Sequence, residues 1–225
     1  MMMMKENIEE KIAQEILQTI KQLNLPYKLD EITEGKGDCF PLAIIVQCKK
    51  EEIFTKLPKN IKSIIVQDEP TKFRLAVRNF ILHSKNVNIR NFREQYEEVV
   101  APVDCRNWNQ YWEIMVRKYE WIDYTFIQST AWFLNHDIMI IGTSGTKKDP
   151  YILVSGNMHD STQPCSAIPL VVGCKSNSHY QSLLPEKSYL EENRKIELKK
   201  NVKTLNTKTK ATYQKEQVIK TESPS

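Results

Sequence analysis

The most informative stretch of the chain is residues 34–44, which read Glu34-Gly35-Lys36-Gly37-Asp38-Cys39-Phe40-Pro41-Leu42-Ala43-Ile44. A glycine-rich turn leads into Cys39, and apolar residues then follow at the spacing of one helix face. Pro41 fits the first turn of a helix, where no backbone donor is needed. The pattern predicts a helix over about residues 39–49 that begins at the cysteine.

A cysteine at the start of a helix is a candidate nucleophile, because the partial positive charge there favours the thiolate. A second polar stretch lies far downstream and reads Ser176-Asn177-Ser178-His179-Tyr180. His179 lies on a polar turn that is followed by an aromatic residue and a short apolar run, and it can serve as the base for the thiol. One cysteine with a distant histidine is the sequence outline of a cysteine hydrolase.

The composition is that of one folded domain with a tail. The chain has 225 residues, of which 40% are hydrophobic and 27% charged, enough for one buried core. No apolar run approaches the ~18 residues of a membrane span, and Met1 to Lys5 is too short for a secretory signal. The five cysteines include no Cys-x-x-Cys pair, which favours reduced thiols in a soluble, cytoplasmic protein.

The net charge of +4 is unevenly distributed. Residues 187–225 carry ten Lys/Arg and five Asp/Glu, whereas the rest of the chain carries 22 and 23. The folded body therefore has no electrostatic support for binding nucleic acid. The tail is either a solvated end or a segment that touches nucleic acid or an anionic membrane.

The order of predicted elements indicates an α+β domain. Apolar periodicity predicts helices over residues 5–24, over 39–49, from Pro70 onward, over the aromatic stripe from Trp108 to Tyr119, and from a cap at Asp123 to Leu134. Short apolar runs predict strands at residues 136–142, 151–154, 170–172 and 180–184. Helices that precede a run of strands favour a small central sheet packed by helices.

Attack of a thiolate on an amide needs donors that stabilise the oxyanion and a group that orients the base. The turn Gly35, Lys36, Gly37 and Asp38 can supply backbone N–H groups, because its glycines let the chain bend them inward. The N–H of Cys39 would be a further donor at the helix start.

Three segments together resemble a known family. Gly37-Asp38-Cys39-Phe40-Pro41-Leu42-Ala43 is similar to the cysteine box of the ovarian-tumour (OTU) domain deubiquitinases, and Ser178-His179-Tyr180 is similar to their histidine box. Trp121-Ile122-Asp123, with the helix and strand after it, resembles the family's Trp-Gly-Asp segment. Order and spacing agree over about residues 30–185.

The resemblance implies an OTU-like, papain-type cysteine protease fold. Apolar residues become sparse after Glu186, so we expect the catalytic domain at residues 30–186, after an N-terminal helix and connector at 1–29 and before a basic, flexible tail at 187–225. The resemblance further implies hydrolysis of isopeptide or peptide bonds after the C-terminus of ubiquitin or a ubiquitin-like protein, through a thioester and without metal or cofactor. A bacterial or viral source would make the host cytoplasm the place of action.

The resemblance also implies residue roles. Cys39 is the nucleophile and His179 the general base and then acid. Gln181 or Asn177 orients the base, and the two stay unranked. Trp121 either contacts the substrate tail or packs in the core.

Several positions depart from the family pattern. Lys36 stands where the family commonly has Asp, Pro41 replaces an aromatic residue, and Gln181 carries no charge with which to stabilise an imidazolium. The alternative is a catalytically weak or inactive ubiquitin-binding module. A metal site would instead need Cys165, Cys174 and His179, with His159, at a spacing that matches no common zinc pattern.

Overall fold

The computed structural model describes residues 8–30, 32–33, 37–95, 107–160, 164–166, 168–176, 179–187 and 189. The chain divides into two units, residues 1–184 and residues 185–225. The predicted domain limits at residues 29 and 186, and the predicted character of the tail, remain predictions.

The described residues form an α+β fold, as the sequence predicts. Its helices are α1 (Ile8–Gln22), α2 (Cys39–Cys48), α3 (Glu51–Phe54), α4 (Lys59–Gln67), α5 (Pro70–His83), α6 (Val87–Gln95), α7 (Trp108–Met115) and α8 (Tyr124–Leu134). Its strands are β1 (Tyr27–Leu29), β2 (Ile138–Gly142), β3 (Ile152–Val154), β4 (Leu170–Lys175) and β5 (His179–Pro185). None of the described helices is long and apolar enough to cross a lipid bilayer.

The strands form one five-stranded sheet in the order β1-β5-β4-β2-β3. β2 runs parallel to β4, whereas the β2–β3 and β4–β5 pairs are antiparallel. In the β4–β5 register, Lys175 lies opposite His179 and Cys174 lies opposite Tyr180. The first residues of β5 are thereby fixed to the end of β4.

Helix α2 is the buried centre of the fold. Eight of its ten residues are buried, so it is apolar all round rather than amphipathic. Its one amide, Gln47, accepts a hydrogen bond of 2.6 Å from the Val171 backbone N–H and donates to the Val171 carbonyl. This pair of bonds joins the far end of α2 to β4 and so fixes where Cys39, at the near end, meets β5.

The segment between α7 and α8 is held by Asp123, as the predicted cap requires. Asp123 Oδ1 accepts from the Phe126 backbone N–H at 2.9 Å and from the Tyr111 hydroxyl at 2.6 Å. An Asp side chain at this position satisfies a donor that the helix itself cannot pair. The cap also anchors Trp121, two residues earlier.

Four short elements, β1, α3, α4 and α6, are absent from the sequence-based prediction. β1 has only three residues and lies in the stretch expected to be a connector, and α3 has only four. α4 buries only Ile61 and Ile65, so its apolar periodicity is short. Elements of this length carry too few periodic positions to stand out from a loop.

Candidate active site

Cys39 is the first residue of α2, and its side chain is 1% exposed. Its Sγ accepts a hydrogen bond from the Tyr180 backbone N–H at 3.4 Å, although the two residues are 141 positions apart. The Phe40 and Tyr180 rings meet edge to face behind this contact, with centroids 5.1 Å apart. The structure therefore brings the cysteine and the His179–Tyr180 pair together.

The environment of the Cys39 thiol contains opposing influences. Burial raises the pKa of the thiol above its ordinary value. The backbone N–H groups of Tyr180 and Phe40 and the charge of Arg74 act on the pKa in the opposite direction. The thiolate thus has several stabilising groups around it, but they do not outweigh its loss of water.

His179 begins β5 beside the Trp121 ring. The two ring centroids are 5.4 Å apart, and the ring planes meet at 78°. Trp121 is 46% exposed, so it is a surface residue next to the histidine and not a core residue. His179 Nδ1 is buried and has no hydrogen-bond partner among the described residues.

Gln181 is buried and binds the backbone of Thr33. Its Oε1 accepts from the Thr33 N–H at 2.8 Å, and its Nε2 donates to the Thr33 carbonyl at 3.1 Å. Two hydrogen bonds of 3.0 Å join the neighbouring residues Asp30 and Ser182. The Asp30 N–H donates to the Ser182 carbonyl, and the Ser182 hydroxyl donates to Asp30 Oδ2. In this structure Gln181 holds the segment before the turn and makes no hydrogen bond to His179.

Gly37 and Asp38, from the predicted oxyanion turn, pack against the Tyr119 backbone. Gly37 has a φ of +82°, and a Cβ on it would lie 2.0 Å from the Tyr119 carbonyl oxygen. Asp38 Oδ2 accepts from the Tyr119 N–H at 3.3 Å, and Tyr119 itself has a φ of 67°. Only glycine fits this approach. Gly35, Lys36 and Asn177 lie outside the described residues.

Asp38 precedes α2 but does not cap it with its side chain. The carboxylate is used elsewhere, on Tyr119 and on Arg74. The first N–H groups of a helix have no partner within the helix. The N–H groups around Cys39 are therefore not occupied by a capping carboxylate, which suits a site that has to stabilise negative charge.

Arg74 is a site residue that the sequence analysis misses. It lies on α5, is fully buried, and donates to the Asp38 carboxylate, to the Gly37 carbonyl and to two further carbonyls, those of Met115 and Glu120. The usable signal is its position, because Arg74 lies between Phe73 and Val77 on the apolar face of the predicted helix. An arginine among core positions requires a partner.

Among the residues that the structure describes, no group of three His, Cys, Asp or Glu side chains lies close enough together to hold a metal ion. Cys165 instead donates to Asp137 Oδ1 at 3.2 Å. Partial burial and, to a smaller degree, the Asp137 carboxylate raise the pKa of the Cys165 thiol to about 12.

Comparisons with known proteins give likenesses of structure only. No protein-family model matches the chain, and no curated protein sequence matches it. The viral OTU domain protease of Dera Ghazi Khan virus has a TM-score of 0.47 at 11% identity, covering 72% of this chain and 82% of that one. The Taggert virus OTU protease has a TM-score of 0.46 at 14% identity, covering 72% and 81%.

The OTU domain of OTUD1 has a TM-score of 0.45 at 13% identity, covering 78% of this chain and 99% of that one. At such identities the likeness concerns the fold alone. These three solved structures are OTU domains.

Proposed function

We propose that the protein is an OTU-like cysteine protease that removes ubiquitin or a ubiquitin-like protein from its conjugates. The observation that carries the proposal is the hydrogen bond from the Tyr180 N–H to Cys39 Sγ. It places the residue after His179 in contact with a thiol at a helix start. The sequence resemblance of the cysteine and histidine boxes supplies the substrate class.

The chemistry follows from these groups. His179 takes the proton of the Cys39 thiol, and the resulting thiolate attacks the carbonyl carbon of the scissile bond. N–H groups at the start of α2 and in the Gly37–Asp38 turn stabilise the oxyanion. His179 then protonates the departing amine, which leaves a thioester on Cys39. Water, deprotonated by His179, hydrolyses the thioester and releases the ubiquitin carboxylate and the free thiol.

Three exposed aromatic side chains follow one another along the chain, and one of them, Trp121, contacts His179. Tyr119, Trp121 and Tyr124 are 50%, 46% and 55% exposed. Large apolar groups exposed next to a candidate nucleophile offer contact area to an extended substrate tail. We assign Trp121 to this contact because it also touches the histidine.

Asn177 is the better candidate for orienting the base. Both ends of the Gln181 amide bind Thr33, so that amide is not free to turn toward the imidazole. His179 Nδ1 has no partner among the described residues. Asn177 lies two residues before His179 in the chain and carries a side-chain oxygen that can accept from the ring.

The competing function is a ubiquitin-binding module with little or no catalysis. Two observations favour it, the raised pKa of the Cys39 thiol and the lack of a hydrogen-bond partner for His179 Nδ1 within the part of the chain that the structure describes. An active enzyme with these features would depend on substrate binding to complete the site. The two functions share a cytoplasmic place of action, that of the host if the source is a bacterium or virus.

The deciding experiment uses ubiquitin that carries a C-terminal thiol-reactive group. We expect a covalent adduct with the full chain, mapped to Cys39 by mass spectrometry and absent from Cys39→Ala. Retained binding without an adduct would overturn the enzyme proposal in favour of the binding module. Cleavage of linkage-defined diubiquitins by the unmodified protein, again with Cys39→Ala as control, would then identify the preferred bond.

A further inference from the structure

Arg74 joins two parts of the candidate active site that are distant in sequence. Its hydrogen bonds reach Asp38 at 3.0 Å, Gly37 at 2.8 Å, Met115 at 2.8 Å and Glu120 at 2.6 Å. The first two partners directly precede Cys39, and the last two flank the loop that leads to Trp121. One side chain therefore links the nucleophile's turn to the loop that contacts His179.

We propose that Arg74 is the positioning residue of this site, which fixes the Gly37–Asp38 turn against the 115–120 loop and places a permanent positive charge behind Cys39. The catalytic consequence rests on the proposed function, whereas the effect on the thiol does not. No part of the sequence resemblance assigns a role to this arginine.

The geometry requires a guanidinium. Arg74 uses Nε for Asp38, Nη1 for Met115 and Nη2 for the remaining two carbonyls, so its donors point in three directions within one plane. An arginine has five such donors in a rigid fork, whereas a lysine ammonium is a compact charge with three. A lysine at position 74 would keep the charge but lose most of the bonds that hold the turn.

The charge of Arg74 acts on the Cys39 thiol. Burial lowers the pKa of Arg74, while the Asp38 and Glu120 carboxylates act to raise it, and a guanidinium keeps its proton in proteins. Arg74 lowers the pKa of Cys39 against the effect of burial. Asp38, which is paired with Arg74, partly cancels this field. Removing the cation and removing the anion should therefore shift the thiol in opposite directions.

The test compares four variants of the full chain. Arg74→Met removes both charge and fork, Arg74→Lys keeps the charge alone, and Asp38→Asn leaves the cation without its anion. Arg78→Met is the matched control, because Arg78 lies one turn further along α5 and its buried Nε has no hydrogen-bond partner among the described residues. Circular dichroism first establishes which variants fold.

The readout is the rate of Cys39 alkylation by iodoacetamide as a function of pH, followed on the Cys39 peptide by mass spectrometry. Below the thiol pKa this rate is proportional to the thiolate fraction. The Arg74 charge is the smallest of the influences that lower the pKa of the thiol, so we expect Arg74→Met to react about two- to fivefold more slowly than the parent near neutral pH. Asp38→Asn should react faster, Arg74→Lys should lie near the parent, and Arg78→Met should match it.

Opposite shifts in Arg74→Met and Asp38→Asn are an outcome that general loss of structure would not produce. If Arg74→Met fails to fold, Arg74→Lys and Asp38→Asn still test whether these two charges control the reactivity of the Cys39 thiol. Unchanged alkylation profiles in all folded variants would overturn the proposal. Because alkylation needs no ubiquitin, the result stands whether or not the protein cleaves a ubiquitin substrate. If it does, kcat should fall in Arg74→Lys while thiol reactivity is kept.

Discussion

Trp121 and His179 meet edge to face, with ring centroids 5.4 Å apart. The indole contacts an imidazole whose Nδ1 has no hydrogen-bond partner among the described residues. Aromatic pairs in this arrangement contribute about 0.5–1.5 kcal/mol beyond the area that they bury. Half of the indole surface faces solvent, so its main effect should be on the orientation of the ring rather than on the stability of the fold.

The first prediction concerns this pair. Trp121→Ala should lower kcat for a ubiquitin substrate by about tenfold, the rate equivalent of ~1.4 kcal/mol, while Trp121→Phe should restore most of it. The free energy of unfolding should change by less than ~1 kcal/mol because the side chain is half-exposed. Steady-state kinetics with urea unfolding would check both. A large loss of stability with normal kcat would contradict the assignment.

The second prediction separates Gln181 from Asn177. Gln181→Ala removes two buried hydrogen bonds and leaves the Thr33 N–H without its partner, which should cost about 2–3 kcal/mol of unfolding free energy. Gln67→Ala is the matched control, since that exposed amide donates only to the Ser63 carbonyl, and it should cost far less. Urea unfolding of the parent and of both variants measures the two losses.

For Asn177→Ala we expect unchanged stability and a lower kcat, because its proposed role is to hold the base. The assignment fails if Asn177→Ala retains full kcat while a folded Gln181 variant loses it. In that case Gln181 would have to leave Thr33 during the reaction.

The third prediction tests the close approach of the turn to Tyr119. Gly37→Ala should lower the free energy of unfolding by about 2 kcal/mol or more, because its Cβ would lie 2.0 Å from a backbone oxygen and its φ is +82°. Gly142→Ala is the control, since the nearest atom to a Cβ there is 3.6 Å away. Equal effects of the two substitutions in thermal unfolding would refute the packing described for Gly37.

The fourth prediction concerns Asp137, whose buried carboxylate accepts from the backbone N–H groups of Gly156, Cys165 and Ser166, each at 2.9 Å. Burial alone would raise the pKa of Asp137, but these hydrogen bonds outweigh it and hold the pKa below its usual value. The unfolded chain therefore binds the proton more readily than the folded one. This contribution to stability is present at neutral pH and is lost as the pH falls below about 4 and through the folded-state pKa.

Asp137→Asn should consequently reduce the free energy of unfolding at neutral pH by about 1–3 kcal/mol and flatten its decline in acid. Asp149→Asn, at an exposed position, serves as the control and should leave the profile unchanged. Urea unfolding at a series of pH values would reveal the difference. An equal acid dependence in the parent and Asp137→Asn would show that other carboxylates are responsible.

Local chemistry accounts for what the sequence predicts well. The Asp123 cap, the start of α2 at Cys39 and the apolar strands each depend on residues within a few positions of one another, so periodicity and capping rules reach them. The resemblance to the cysteine and histidine boxes adds the long-range pairing of the two segments. These together suffice for the α+β class and for the approach of the histidine segment to Cys39, which the structure shows as the contact from Tyr180.

The partners of buried polar groups are harder to predict, because they depend on which distant backbone comes near. Gln181 binds Thr33 across 148 residues, and Arg74 binds a turn 36 residues before it and a loop 46 after it. From sequence alone, Gln181 has the right spacing to serve His179. In the structure, the Thr33 backbone N–H and carbonyl instead bind the oxygen and nitrogen of the Gln181 amide.

The burial of α2 also determines how this site could be controlled. The helix that carries Cys39 is enclosed on nearly every side, and Gln47 ties its other end to β4. Moving the sulfur would mean opening the core. Tyr119 and Trp121, by contrast, are about half exposed to solvent. An inhibitor or regulatory partner would therefore gain most by binding these two aromatic side chains, and would leave the cysteine where the fold holds it.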